Sequence, residues 1–311
     1  MRRVVVIGAG FFGRVIARRL ADVGVMPMVA SRTSGELRLD VEDGASMRAA
    51  LRQGDVIVDT AGPFQQRSTA LVEAAIGLGC DVVDLSDSLG YARAVLALHE
   101  RAVANGVRVF TSCSAIATVA ASAIRASGRV APETCDLFLA PASADTGNPA
   151  TIRAFLASVD WSRSREFPAD RRRGYRVESA AAVVLPRSWP SLRWVDFWVD
   201  PNAPFAAKGV ALASRLGLTG AFSAVAPVSA RLLGRRDGSF SIAISEAGRY
   251  SLTRLSAPRG SYLIAAEPAV IAAESLARGI DDPPGVVPAD KQVDPDVLFA
   301  RLRALAVDVR T

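Results

Sequence analysis

The fold is decided by Arg3-Val4-Val5-Val6-Ile7-Gly8-Ala9-Gly10-Phe11-Phe12-Gly13, in which a β-branched run passes directly into a G-x-G-x-x-G motif. The run predicts a buried strand over Arg3–Ile7, and apolar residues at three- and four-residue spacing predict a helix over Phe11–Val23. Glycines at this spacing permit a tight turn, close approach of the backbone to a pyrophosphate and tight packing of helix on strand, while the helix N-terminus offers N–H groups to a phosphate. The stretch therefore predicts a dinucleotide-binding βαβ unit.

The same alternation of apolar runs and helical patterns continues as far as Thr111. Further strands are predicted over Met26–Ser31, Asp55–Thr60, Asp81–Leu85 and Val107–Thr111. Further helices are predicted over Thr69–Leu78 and Tyr91–Asn105, and Gly24, Gly79 and Gly106 stand where helices end. Because parallel strands need helical crossovers, this pattern predicts an α/β fold with a doubly wound parallel sheet.

The character of the sequence changes in its second half. The chain has 311 residues, enough for about two domains, and its four tryptophans all lie beyond Ser127, where strand patterns alternate between apolar and polar residues. Such alternation is typical of antiparallel sheets. We predict a dinucleotide-binding domain over residues 1–118 and a second α+β domain, built on a largely antiparallel sheet, over residues 119–311. The last helices, about 268–311, could return to pack on the first domain.

One predicted strand, Arg193–Asp200, places aromatic side chains on both of its faces. Val195, Phe197 and Val199 share one face, and Trp194, Asp196 and Trp198 share the other. The second face is available to a covering helix, a ligand or another subunit, and its aromatic character leads us to expect a homodimer through the second domain. Further predicted elements are a hairpin of Ser239–Ser245 with Arg249–Ser256, a helix over Pro268–Arg278 and a last helix capped by Asp294.

Composition excludes several classes of protein. Half of the residues are apolar and 22% are charged, as in globular proteins, and no run approaches the roughly 18 apolar residues of a spanning helix. The formal charge is +6, but the densest basic run, Arg171–Arg173, is expected to be a solvated loop and not a nucleic-acid patch. Cys80, Cys113 and Cys135 are odd in number and lack paired metal spacing, so we expect no disulfide framework and no metal. We expect a cytoplasmic protein with a small-molecule substrate and with neither nucleic acid nor membrane as partner.

The end of the second predicted strand bears on which dinucleotide binds. An acidic residue there would accept hydrogen bonds from the ribose 2′-hydroxyl of NAD, but the strand ends in Ser31-Arg32-Thr33. A hydroxyl group and a guanidinium suit a 2′-phosphate, so NADP is favoured. The alternative, that Arg32 is one surface arginine among many, stays open.

The chain lacks the residues that several familiar mechanisms require. The Tyr-x-x-x-Lys pair of short-chain dehydrogenases is absent, because Pro204 and Val287 precede Lys208 and Lys291 by four positions. Cys113 stands where a semialdehyde dehydrogenase would carry its nucleophile, yet no histidine follows it in the chain, and His99 is the single histidine. A structural role is therefore favoured for Cys113, and phosphoryl transfer has no support because no P-loop lysine is present.

A longer stretch carries a family resemblance. Residues 55–64 read D-V-I-V-D-T-A-G-P-F and residues 80–87 read C-D-V-V-D-L-S-D. The pair resembles the saccharopine dehydrogenase-like family of NADP-binding reductases, and weaker likeness continues through Gly147–Thr151, Leu185–Arg187 and Ala266–Val270. The resemblance implies a Rossmann-type first domain, an α+β domain for substrate and dimerisation, and hydride transfer between NADP(H) and a C=N or C=C bond. The chain departs from the family in its shorter length and in Ser112–Ala115, so the resemblance does not identify the substrate.

The resemblance also assigns residues by position. It implies that Gly8, Gly10, Phe11, Phe12 and Gly13 line the pyrophosphate. It implies further that Ser31, Arg32 and Thr33 contact the 2′-phosphate, Asp40 the adenosine, and Thr60, Ala61, Gly62, Pro63 and Phe64 the nicotinamide half. Asp84, Ser86 and Asp87 follow a strand at the carboxyl edge of the sheet, where ligands bind in such folds.

These expectations lead to a functional hypothesis. The protein is predicted to be an NADP-dependent oxidoreductase that positions the nicotinamide against a substrate, with Asp87 or Tyr91 as a proton donor. Water could deliver the proton instead, because an iminium acceptor needs little acid catalysis. The alternative is a non-catalytic, NADP-binding regulatory or sensor protein, which the missing catalytic histidine and lysine would favour.

Overall fold

A computed structural model describes residues 1–168, 172–201, 234–279 and 283–311. The strands of these residues are β1 (Val4–Ile7), β2 (Met28–Ser31), β3 (Leu37–Arg38), β4 (Val56–Asp59), β5 (Asp81–Asp84), β6 (Arg108–Phe110), β7 (Thr134–Ala140), β8 (Val159–Glu166), β9 (Arg173–Val177), β10 (Trp194–Val199), β11 (Gly238–Glu246), β12 (Arg249–Ala257), β13 (Gly285–Val286) and β14 (Asp308–Arg310). Their helices are α1 (Phe11–Asp22), α2 (Gly44–Ala50), α3 (Ala70–Leu78), α4 (Leu89–Leu96), α5 (His99–Ala104), α6 (Ala120–Ala126), α7 (Ser143–Thr146), α8 (Pro149–Ser158), α9 (Ala181–Ser188), α10 (Leu263–Ala277) and α11 (Pro295–Ala304).

The first sheet is parallel throughout and has the order β13-β6-β5-β4-β1-β2-β3. Every residue of β1, β4 and β5 is buried, because apolar clusters lie on both faces of the sheet. The prediction of a doubly wound, Rossmann-type sheet is confirmed. The helix predicted over Tyr91–Asn105 is wrong as a single element: it is divided between α4 and α5 at Ala97 and Leu98.

The second sheet has the order β14-β12-β11-β7-β10-β9-β8. Its strands pair antiparallel except for β7 with β10, which pair in parallel, so the expectation of a largely antiparallel sheet is confirmed. The predicted hairpin is β11 with β12, and its turn places Ala247 and Gly248 at φ +49° and +74°. The boundary between domains at residues 118 and 119 stays a prediction.

Strand β10 corrects one expectation about exposed aromatic residues. Phe197 and Val199 are buried against the inner face, as predicted, and Trp194 is 68% exposed. Trp198, however, is only 8% exposed, because its ring packs in a cluster with Phe138 and its Nε1 donates a hydrogen bond to Asp136 Oδ1 at 3.2 Å. The expected open face is thus reduced to Trp194, and the homodimer stays a prediction.

The C-terminal segment packs on the first domain. Helix α10 begins at Leu263, five residues before the predicted start, and accommodates Pro268 within it. Its buried Glu267 pairs with Arg19 of α1 (Nε–Oε2, 3.3 Å) and with Arg301 of α11 (Nε–Oε1, 2.8 Å). Farther on, β13 adds to the edge of the first sheet beside β6. The predicted cap of the last helix is confirmed: the Asp294 side chain accepts hydrogen bonds from the first turn of α11.

Part of the basic run and one of the lysines lie outside the described residues. Arg172 lies 3.3 Å from Asp237 in an ion pair, whereas Arg171 and Lys208 lie outside the described residues. No helix among the described residues is both long and apolar enough to cross a membrane. The cytoplasmic location stays a prediction.

Candidate functional site

A cavity of about 910 Å³ opens where the carboxyl ends of β1, β2, β4 and β5 face the second domain. The first domain contributes the glycine-rich turn, the segments after β2 and β4, Asp87 and the turn Ser114–Ile116. The second domain contributes α8, the ends of β7 and β10, and the start of α10. The position agrees with the general rule that ligands bind at the carboxyl ends of parallel strands.

The glycine-rich turn has two crowded positions and one open one. Gly8 has φ +105°, and a Cβ there would lie 2.7 Å from Thr60 Oγ1. A Cβ on Gly13, which is buried beneath the turn, would lie 1.7 Å from the carbonyl oxygen of Gly8. A Cβ on Gly10 would meet nothing within 4 Å. Gly8 and Gly13 thus shape the turn, while Gly10 leaves space at the cavity surface.

Helix α1 begins at this open position. Gly10 is its N-cap, no side chain caps it, and its first turn contains no acidic residue. Its N-terminal N–H groups and positive dipole end are therefore available to an anion, and Phe11 and Phe12 line the same part of the cavity. The arrangement fits the pyrophosphate of a dinucleotide.

The segment after β2 forms one end of the cavity. Ser31, Arg32, Thr33 and Ser34 line it, and the Ser31 hydroxyl accepts a hydrogen bond from the Ser34 N–H at 2.8 Å. Arg32 is exposed, and its carbonyl oxygen accepts a hydrogen bond from Arg38 Nη1 at 2.7 Å. This bond stabilises the turn that carries the Arg32 side chain.

Asp40 does not line the cavity. Its Oδ1 accepts a hydrogen bond from the Glu42 N–H at 3.1 Å and so stabilises the following turn. Its neighbours Leu39 and Val41 line the cavity instead. Sequence reasoning missed both, although alternation about Asp40 was a signal that could have indicated them.

The segment Thr60–Phe64 lines the middle of the cavity. The Thr60 hydroxyl donates to the carbonyl oxygen of Ile7 at 2.9 Å, which ties the segment to the end of β1. Below it, Asp59 Oδ2 lies 2.9 Å from Arg67 Nη1, and Asp59 Oδ1 accepts a hydrogen bond from the Ala61 N–H at 3.0 Å. This buried ion pair fixes the backbone at the start of the segment Thr60–Phe64.

Of the acidic and hydroxyl side chains that follow β5, only Asp87 reaches the cavity. Its Oδ1 accepts a hydrogen bond from Gln65 Nε2 at 3.1 Å, and its carbonyl oxygen accepts one from the Ala180 N–H at 2.9 Å. Asp87 forms no ion pair with any described residue. Desolvation by the surrounding protein raises the pKa of the Asp87 carboxyl, and the hydrogen bond from Gln65 partly opposes this increase.

Asp84, Ser86 and Tyr91 lie beneath the cavity wall. Asp84 Oδ1 accepts hydrogen bonds from the N–H groups of Ser86 and Ser112, both at 2.9 Å, and its Oδ2 has no partner among the described residues. Burial raises the pKa of the Asp84 carboxyl to about 6. The Tyr91 ring packs on Phe64 at 5.0 Å between centroids, and burial raises the pKa of its hydroxyl well above the usual value. These groups support the wall, and Asp87 remains the carboxyl group that a ligand can touch.

Cys113 and His99 occupy structural positions. The Cys113 thiol is fully buried, which raises its pKa to about 12. His99 Nδ1 accepts a hydrogen bond from the Val286 N–H at 3.1 Å and so fastens β13 to the first domain. Neither side chain lines the cavity.

The second domain supplies cavity residues that sequence reasoning missed. They are mainly apolar or hydroxyl-bearing and include Ser143, Ile152, Phe155, Trp161, Val177 and Tyr262. The only signal for this region was the weak likeness at Gly147–Thr151, which contains the start of α8.

Comparison with known proteins gives a family match over about the first third of the chain. Residues 4–110 match the family model described as the saccharopine dehydrogenase NADP binding domain. A search of curated proteins gives no match.

Solved structures are similar to this chain at low identity and with TM-scores of 0.48 or less. Diaminopimelate (DAP) dehydrogenase of C. glutamicum in complex with DAP is 16% identical, with a TM-score of 0.48 over 97% of this chain and 98% of that one. GenD2 from gentamicin A biosynthesis, in complex with NAD, is 13% identical, with a TM-score of 0.46 over 100% and 97%. Dipicolinate-bound dihydrodipicolinate reductase from Paenisporosarcina sp. TG-14 is 12% identical, with a TM-score of 0.41 over 92% and 97%. These likenesses concern the fold alone.

The G-x-G-x-x-G turn, the open N-terminus of α1 and the family match describe the same part of the chain, and the resemblance found in the sequence is confirmed there. Residues 4–110 are an NAD(P)-binding domain that matches the family described as the saccharopine dehydrogenase NADP binding domain.

Proposed function

We propose that the protein is an NADP-dependent oxidoreductase acting on a C=N or C=C bond of a small metabolite. The observation that carries the proposal is the cavity itself, because the dinucleotide-binding turn and the carboxyl group of Asp87 line one continuous space. When bound, NADPH supplies a hydride to the carbon of such a bond and is converted to NADP⁺. The protein must position the nicotinamide against the substrate bond and deliver one proton.

The residues present fit this cofactor. The open space at Gly10 and the N-terminus of α1 would hold the pyrophosphate, and Ser31, Arg32 and Thr33 would hold the 2′-phosphate. The segment Thr60–Phe64 would lie along the nicotinamide half.

Asp87 is the proposed proton donor. Its carboxyl lies at the cavity surface, is oriented by Gln65 and has a raised pKa, so it retains its proton to a higher pH than an ordinary aspartate. Tyr91 is not proposed for this step, because its hydroxyl is buried and has no hydrogen-bond partner among the described residues.

The choice of NADP predicts a specific effect of Arg32→Ala. A hydrogen bond to a charged group contributes about 1.5–3 kcal/mol, so NADPH affinity should fall roughly ten- to a hundredfold. NADH affinity should change little, because NADH lacks the 2′-phosphate. Fluorescence titration of both cofactors into the wild type and the variant measures the two losses.

Arg52→Ala is the matched control. Arg52 is also exposed, but it precedes β4, at the edge of the sheet opposite the cavity, and its removal changes the net charge equally. It should leave both affinities unchanged. Equal losses of NADPH and NADH in Arg32→Ala would contradict the assignment, as would a wild type without preference for NADPH.

The reaction itself is tested by NADPH consumption. The purified protein should oxidise NADPH, measured at the nicotinamide absorbance, with at least one compound in a panel of cyclic imines, secondary imines and conjugated enones. Tight NADPH binding without consumption in any class would contradict the enzymatic proposal and support an NADP-binding sensor.

A further inference from the structure

The distribution of charge along the cavity is uneven. Among the described lining residues, Arg32 and Asp87 are the two that carry charged groups. Arg32 follows β2 and Asp87 follows β5, and in the order β5-β4-β1-β2 these strands are three spacings apart, about 14 Å. The arginine therefore stands at the cofactor's adenosine end, whereas Asp87 is the acidic group that the described residues supply at the substrate end.

The cavity that Asp87 lines is largely apolar. Gln65, which binds Asp87, belongs to the turn Phe64–Gln66, and this turn contacts α8. Ala180, which donates to the Asp87 carbonyl oxygen, is three residues from the lining residue Val177. Asp87 is thus connected to elements that contribute Ile152, Phe155 and Val177 to the same cavity, whose lining also includes Trp161 and Phe197.

Two of these side chains form a supported aromatic surface. The Phe155 and Trp161 rings meet edge to face at 5.7 Å, and Trp161 packs at 4.9 Å on Tyr175. Aromatic faces bind apolar groups and attract cations. A carboxylate-bearing substrate would instead need an arginine, a lysine or a set of N–H donors, and no described lining residue of this region supplies a cationic side chain.

From this juxtaposition we propose that the substrate is an apolar imine without a carboxylate group, whose protonated nitrogen faces Asp87. The proposal rests on the proposed function and selects C=N over C=C, because a C=C bond has no basic atom that could share a proton with the Asp87 carboxyl before hydride transfer. In this pairing Asp87 and the imine nitrogen share one proton, so the pair is neutral overall. The hydrophobic body of the substrate then packs against Phe155 and Trp161.

The test uses equilibrium binding to the full chain saturated with NADPH, with which none of the probes can react, measured by calorimetry. Three matched probes are tetrahydroisoquinoline, which is a cationic amine, its ring-carboxylated derivative, and tetralin, which is its uncharged carbon analogue. We expect the amine to bind at least tenfold more tightly than either of the others. Asp87→Asn should reduce the amine's advantage over tetralin to less than threefold, because the amide keeps the shape and removes the charge.

Asp296→Asn serves as the matched control, because Asp296 is exposed on α11 outside the cavity. It should preserve the full preference. Tighter binding of the carboxylated probe, equal binding of amine and tetralin, or failure of the amine to bind at millimolar concentration would each overturn the inference.

Turnover separates this inference from the proposed function. Reduction of dihydroisoquinoline, but not of its carboxylated derivative, is the result expected if both hold. Selective amine binding without reduction of any imine would contradict the oxidoreductase proposal alone. Preferred reduction of the carboxylated imine would contradict the substrate class and leave the oxidoreductase proposal intact.

Discussion

Gly13→Ala should strongly destabilise the first domain, whereas Gly10→Ala should leave its stability unchanged and prevent it from binding NADPH tightly. The added methyl group at position 13 would lie 1.7 Å from the Gly8 carbonyl oxygen, a backbone atom that cannot move without displacing the whole turn. The cost should exceed the ~3 kcal/mol typical of overpacking, so the melting temperature should fall by roughly 10 °C or more. The same methyl group at position 10 meets nothing within 4 Å.

Circular dichroism and NADPH titration distinguish the two variants. Gly10→Ala should keep the wild-type melting temperature and lose at least tenfold in NADPH affinity, because its methyl group occupies the space through which the pyrophosphate approaches the backbone. Normal NADPH binding by Gly10→Ala would refute the proposed cofactor position. A fully stable Gly13→Ala would show that the turn is not packed as described.

Asp84→Asn should stabilise the protein at neutral pH. The pKa of Asp84 in the folded protein, about 6, lies above the ordinary aspartate value of 3.8, so the native state holds its proton where the unfolded chain has released it. The free energy of unfolding of the wild type therefore keeps its full value below about pH 4 and falls as the pH rises to about 6. Above about pH 6 it stays lower by about 3 kcal/mol, because the pKa of Asp84 is raised by roughly two. Asparagine has no charge to bury and escapes this loss.

The Asp81→Asn variant of the same strand is the control. Asp81 is buried at the opposite end of β5, but its Oδ2 lies 2.5 Å from Arg2 Nη1, so removing its charge breaks an ion pair and should destabilise the protein. Denaturant unfolding of both variants and the wild type between pH 4.5 and 8 (~0.5-unit steps) gives the comparison. An Asp84→Asn variant no more stable than the wild type at pH 7.5 would contradict this account of the buried carboxyl.

Elements with strong local patterns could be predicted from the sequence, and those that depend on tertiary contacts could not. Strands β1, β4 and β5 consist of buried apolar runs with acidic or glycine boundaries, and their limits were predicted to within a residue. Strand β13 has two residues and exists because β6 and His99 supply its partners, which no local pattern records. The break at Ala97 and Leu98 is likewise hidden, because neither residue is a helix breaker.

The same contrast between local patterns and tertiary contacts applies to the candidate site. The glycine-rich turn, Arg32 and Thr60–Phe64 follow individual strands of one sheet, so their meeting at its edge could be foreseen. Whether a side chain after β5 points into the cavity or beneath it depends on packing, which separates Asp87 from Asp84 and Tyr91. Phe155 and Trp161 come from the second domain, and only the assembled structure brings them into the same cavity as Asp87.

The return of α10 to the first sheet has a consequence for how the protein is made. On the ribosome β1 to β6 emerge first, but Val6, Val58 and neighbouring side chains share a core with Val270 and Ala273 of α10. At about 5–20 residues per second, roughly 8 to 30 s separate the release of β6 from that of α10. Throughout this interval the nascent cofactor domain exposes an uncovered apolar face. We therefore expect a chaperone that binds hydrophobic chain segments during translation to bind it.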